Sequence, residues 1–259
     1  MPTKKLKPAH QYLTNPLTHK NNITDWRDVL FQAATVDDLL DGAYEGITTV
    51  GELKTHGDFG LGTFNALDGE MILLDGRCYQ VKVDGDAHEV TDDFKTPFAA
   101  VTFFDKKEAI QVPMNATYPD LKQLIFDRLT DKHLFYAIMV TGEFTFVKAR
   151  SVPKQEKPYQ PLAQIINEQH IFQFDKIKGT LVGFWSPQNV THLNVPGFHF
   201  HFLDTAHQLG GHVLDCQIAS GTIYIDATED FILDLPAYSR YEEHRDEPDR
   251  GGELDRIEK

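Results

Sequence analysis

The segment GFHFHFLDTAHQLGGHVLDC, Gly197 to Cys216, sets two histidines among phenylalanines and a third behind a pair of glycines. Alternation with a period of two is the pattern of a β-strand. Phe198, Phe200 and Phe202 then share one face, and His199 and His201 share the other. One face packs, while the other presents two imidazoles whose Cβ atoms lie roughly 6–7 Å apart. After the loop LDTAHQLGG, His212 opens a second strand-like run, HVLDCQI. If the two strands pair, His212 comes opposite the His-x-His pair, and Gly210 and Gly211 permit the close backbone approach this needs. Three neutral imidazoles leave one position of a tetrahedral ion open, the pattern of a catalytic zinc site rather than a closed structural one. His192, ahead of a Pro-Gly turn, and His207, inside the connecting loop, read as non-ligands.

Outward from this segment, strands outnumber helices. Residues 1–23 are polar and read as a flexible arm. ITDWRDVLFQAATVDDLLDG is predicted as one helix, with Thr24 as cap, Val29, Leu30 and Ala33 on one face, and Gly42 as the stop. Asp68-Gly69 and Asp75-Gly76 are turn dipeptides between strand formers, so residues 60–83 read as a β-meander. FAAVTFF and EAIQVPM continue the strands, and Pro119 opens a short amphipathic helix carrying Leu121, Leu124, Ile125 and Leu129. LFYAIMV and FTFVKARSV are predicted to form a hairpin around Thr141-Gly142-Glu143, and a further helix starts at Leu162. The expected class is α+β, with two sheet-containing lobes of mixed or antiparallel strands and a few short helices. The boundary is placed in the proline-rich stretch SVPKQEKPYQP, giving an N-terminal lobe over 24–155 and a metal-binding lobe over 156–259. The final stretch, SRYEEHRDEPDRGGELDRIEK, carries eight acidic and five basic residues and by composition is a solvated tail.

A net charge of −14 argues against a nucleic-acid or anionic-membrane surface, both of which call for Lys and Arg. The lysines of MPTKKLKPAHQYL are not followed by an apolar run, and no stretch is long enough to span a bilayer, so a cytoplasmic protein is expected. Cys78 and Cys216 both sit in apolar runs and read as buried thiols. GDFGLG neither follows the dinucleotide pattern nor opens a helix, which argues against nicotinamide or flavin binding.

Three stretches carry a resemblance. GFHFHFLDTAHQLGGHVLDC (197–216), GDFGLGTFNALDGEM (57–71) and VKARSVPKQEKPYQPL (147–162) resemble segments of the acetolactate decarboxylases, in matching order and separation. The resemblance spans roughly residues 25–258. It implies zinc ligands at His199, His201 and His212, active-site glutamates at Glu70 and Glu258, an active-site arginine at Arg150 that binds substrate, and a pocket threonine at Thr63. It further implies a C-terminal tail folded back to the active site, and a homodimer acting on a small molecule in acetoin and butanediol biosynthesis. Read without it, Glu70 is an ordinary strand residue sharing a face with Ile72 and Leu74, and Arg150 is a surface cation in step with Lys148 and Phe146.

The implied reaction converts 2-acetolactate to acetoin and carbon dioxide. Loss of carbon dioxide leaves an electron pair that becomes an enediolate, and zinc chelated by the ketone and hydroxyl oxygens would hold that charge. Arg150 would orient the departing carboxylate without gripping it, because that charge vanishes in the transition state. A glutamic acid beside the metal, Glu70 or Glu258, would return a proton to carbon. Two other classes fit a three-histidine site: a metal-dependent hydrolase of a small carboxylated substrate, and a small-molecule-binding module with a structural metal.

Overall fold

The computed structural model describes residues 26–235 and Gly252. In chain order its strands are β1 (Val29–Ala33), β2 (Thr48–Thr49), β3 (Phe59–Thr63), β4 (Glu70–Leu74), β5 (Arg77–Val81), β6 (Ala87–Glu89), β7 (Lys95–Thr96), β8 (Ala99–Thr102), β9 (Ile110–Val112), β10 (Ala116–Thr117), β11 (Phe135–Ser151), β12 (His170–Ser186), β13 (Gly197–Asp204), β14 (Gly210–Thr228) and β15 (Asp230–Asp234). The α-helices are short: α1 (Val36–Leu40), α2 (Val50–Lys54), α3 (Tyr118–Phe126) and α4 (Leu162–Ile165). None of the described helices is long and apolar enough to cross a membrane.

Two sheets carry the α+β architecture. The first has the order β15-β1-β8-β3-β4-β5-β6, antiparallel except where β15 lies parallel to β1. The second has the order β10-β14-β11-β12-β13, and β13 also pairs with the start of β14, so the four long strands close on themselves. The sheets stack face to face. Leu30, Leu61, Ile72 and Val81 of the first meet Phe135, Met139, Val182, Phe184 and Leu203 of the second in one apolar cluster. Val50 and Leu53 of α2 cover the outer face of the first sheet, and Leu121 and Ile125 of α3 cover the outer face of the second. Each fully buried Leu, Ile or Phe in these layers contributes about 1.5–3 kcal/mol relative to exposure.

The meander over β3–β5 and the helix at Tyr118–Phe126 agree with the sequence pattern, and both cysteines are buried. Three predictions need correction. The helix expected from residue 24 is a strand at Val29–Ala33 followed by the single turn of α1. All five residues of β1 are buried, because Leu30 packs between the sheets while Phe31 and Ala33 pack outward. A run buried on both faces has no amphipathic period to separate strand from helix. The cap of α1 is Thr35, whose hydroxyl accepts the Asp38 N–H at 3.1 Å, whereas Thr24 lies outside the described residues. Second, the proline-rich stretch does not divide the sheets: β9, β10 and β11 already belong to the second, and β15 returns to the first.

Third, Phe135–Ser151 is one continuous strand rather than a hairpin. Gly142 lies opposite Gly179 of β12 and Gly221 of β14, so a line of glycines crosses the sheet. A Cβ at Gly142 would sit 2.3 Å from the Ser220 carbonyl oxygen and 2.7 Å from the Gly221 Cα. The glycine serves close strand approach, not a turn. Gly142→Ala is therefore expected to cost about 1–3 kcal/mol, seen as a lower denaturant midpoint at unchanged slope.

Candidate metal centre and active site

The alternation of Phe198–Phe202 is explained by the layering. Phe198, Phe200 and Phe202 pack toward α3, so His199 and His201 face the first sheet, above Phe184 and Val182 of the neighbouring strand. His212 pairs directly with His201 on one side and with Arg150 on the other. That position requires Gly211, whose φ is +148° and where a Cβ would lie 2.9 Å from the Arg150 carbonyl oxygen. The Gly-Gly-His reading is thus realised by the observed register.

His199 Nε2 lies 3.3 Å from His201 Nε2 and 3.2 Å from His212 Nδ1. Donors bound at about 2.0–2.1 Å to one tetrahedral ion stand about 3.3 Å apart. His201 Nδ1 donates to the Met71 carbonyl at 2.8 Å, and since a carbonyl only accepts, this fixes the tautomer and leaves Nε2 a bare lone pair. That lone pair faces His199 and also Glu70 Oε2, at 3.4 Å. Lone pairs and a carboxylate converging on one point fit a cation. Burial, with Arg150 nearby, pushes His199 down to about 3, and burial with His199 beside it holds His201 well below its ordinary value. Both are therefore neutral at pH 7, the state a metal ligand needs. Among the described residues these three histidines form the group able to hold a metal ion. His192 pairs with Asp37 and His207 with the Tyr79 hydroxyl, both away from the triad.

Glu70 opens β4 and is buried, as its shared face with Ile72 allowed. Arg150 Nη1 reaches its Oε1 at 3.4 Å, with Arg150 only 5% exposed. The surface reading of Arg150 fails although Arg150 keeps step with exposed Lys148 along β11: at Arg150 that face meets Glu70 of the first sheet and the pocket, which bury it. Thr63 pairs with Glu70 and donates its hydroxyl to the Gly69 carbonyl at 2.8 Å, holding the turn that delivers the glutamate. Glu258 lies outside the described residues, as does the tail apart from Gly252.

These groups line a pocket of about 60 Å³. Its opposite wall is apolar, built from Val36 and Leu40 of α1, Leu162 and Ile166 around α4, Leu67 and Val195. Sequence reasoning missed this wall and the Met71 carbonyl. The wall gathers segments more than 100 residues apart, and a backbone carbonyl leaves no mark on composition. The spacing of Val36 and Leu40 was the one available signal, and it was absorbed into the longer helix.

The family model described as alpha-acetolactate decarboxylase matches residues 30–246, a range that contains the triad, Thr63, Glu70 and Arg150 and stops short of Glu258. The alpha-acetolactate decarboxylase of Methanosarcina mazei is 48% identical over 210 residues, 81% of this chain and 73% of its own length. That of Methylococcus capsulatus is 44% identical over 224 residues, 86% of this chain and 84% of its own. The crystal structure of alpha-acetolactate decarboxylase from Bacillus subtilis strain 168 superimposes with a TM-score of 0.86 at 37% identity, covering 89% of this chain and 99% of that one. On a family match over most of its length, and on relatives this similar, the chain belongs to the alpha-acetolactate decarboxylase family.

Proposed function

We propose that this protein decarboxylates 2-acetolactate to acetoin and carbon dioxide, with zinc held by His199, His201 and His212. The observation that carries the reading is the convergence of three imidazole nitrogens beside a buried Arg150–Glu70 pair, in a small pocket with an apolar far wall. Imidazole donors suit zinc, and when bound it supplies a Lewis acid for the negative charge that develops on substrate oxygens as carbon dioxide leaves. Arg150 orients the carboxylate through its planar fork. The bond that breaks is thereby set across the plane of the neighbouring carbonyl, which is worth more than tight binding of a charge about to disappear. Glu70 or Glu258 carries the proton to the carbon left behind. The apolar wall receives the two methyl groups and excludes water from the electron-rich carbon.

The expected homodimer belongs to this reading, and light scattering of the purified protein measures it. Arg150→Lys keeps the cation and loses the fork. Turnover is expected to fall about 100-fold, the scale of a misplaced reacting group, with zinc content unchanged. Activity within twofold of the parent would assign Arg150 to structure and place the carboxylate elsewhere.

A further inference from the structure

Gln32, in the middle of β1, is fully buried, and three hydrogen bonds engage its side-chain amide. Its Nε2 donates to the Ala34 carbonyl at 2.7 Å and to the Leu193 carbonyl at 2.6 Å. Its Oε1 accepts from Asn194 Nδ2 at 2.7 Å. Asn194, also buried, uses its Oδ1 to accept the Val195 N–H at 2.6 Å. The Val36 N–H donates to the same Leu193 carbonyl at 3.0 Å. Ala34, just before α1, has a φ of +61°, a conformation that non-glycine residues hold only when their surroundings impose it. One side-chain pair thus fixes two loops that are distant in sequence. Val36, which opens α1 two residues after Ala34, and Val195, next to Asn194, are pocket-lining parts of the apolar wall.

We propose that Gln32 and Asn194 are positioning residues that hold Val36 and Val195 at a fixed distance from the metal centre, and so set which alkyl substituents the substrate can carry. This rests on the decarboxylase reading above. A satisfied buried amide network gives one geometry rather than several. A wall held rigid turns one additional methylene into a discrimination of about 10–200-fold. A loosened wall yields and accepts the larger group. Neither amide touches the reacting atoms, so the effect falls on choice among substrates rather than on chemistry.

The test compares kcat/KM for 2-acetolactate with kcat/KM for its homologue bearing ethyl in place of methyl at C2. The ratio of the two is independent of the fraction of protein that is folded and metal-loaded, so a merely structural role leaves it unmoved. Gln32→Leu takes the side-chain donor from the buried Ala34 carbonyl and the acceptor from buried Asn194 Nδ2, and endangers folding. Asn194→Asp is the milder variant: it retains an acceptor for the Val195 N–H and loses the donor to Gln32. Val195→Ala trims the wall directly. Both Asn194→Asp and Val195→Ala are expected to lower the ratio at least about fivefold, within the span that one methylene allows. The double variant should fall no further than Val195→Ala alone. A ratio within twofold of the parent in Asn194→Asp, or in Val195→Ala, overturns the inference. If the parent releases carbon dioxide from neither substrate, the decarboxylase reading fails first and the inference falls with it.

Discussion

His201→Ala is expected to lose bound metal and decarboxylation together, with turnover falling about 1,000-fold or more. His201 is 1% exposed, and its tautomer is set by the Met71 carbonyl, so its Nε2 is presented with little freedom to lose on binding. Two remaining imidazoles make a poor tetrahedral site, and the Lewis acid is worth several kcal/mol at the transition state, each 1.4 kcal/mol being tenfold in rate. His199→Ala and His212→Ala should behave alike, because the three nitrogens define one point. Elemental analysis paired with acetoin formation reads both losses. His207→Ala, whose ring meets Tyr79 instead, should keep its metal. Full zinc retention in His201→Ala would remove the triad from the account.

Deleting residues 254–259 is expected to leave a folded, zinc-loaded protein with turnover reduced about 100-fold or more, the contribution of a positioned general acid. The tail starts in a suitable place. β15 runs parallel to β1, and the Ala34 N–H donates to the Asp234 carbonyl at 2.9 Å, two residues before Val36 on the pocket wall. The residues from 235 to 258 can span about 75 Å when extended, so reach does not limit Glu258. Tyr238, Tyr241, Leu254 and Ile257 are the apolar side chains available to anchor such a return. Glu258→Gln should reproduce most of the loss, and Glu253→Gln should not. Unchanged turnover in the shortened protein would return the tail to solvent and leave Glu70 to deliver the proton.

The triad was legible because both of its signals are local. Alternation at 198–202 gives the face, and Gly210-Gly211 gives the close approach that brings His212 opposite His201. The meander was legible from its turn dipeptides for the same reason. Arg150 was not, because it shares a strand face with exposed Lys148 and is buried only where Glu70, 80 residues away in sequence, closes over that face. Nor was β1, whose two buried faces erase the period. Thr141-Gly142 looked like a turn because the same residue serves turns and close strand approach, and only the opposing glycines on β12 and β14 tell them apart. The apolar wall depends on α1, α4 and the segment around Val195 meeting in space, which no window of sequence contains.

Carbon dioxide released from 2-acetolactate by the purified protein tests the central claim most directly, measured on the zinc-loaded protein, after chelation, and after zinc is returned. The account predicts release matched one-to-one by acetoin, reduced to the spontaneous rate by chelation and restored by zinc. Release at the spontaneous rate by the zinc-loaded protein, or undiminished release once the metal is gone, would contradict it.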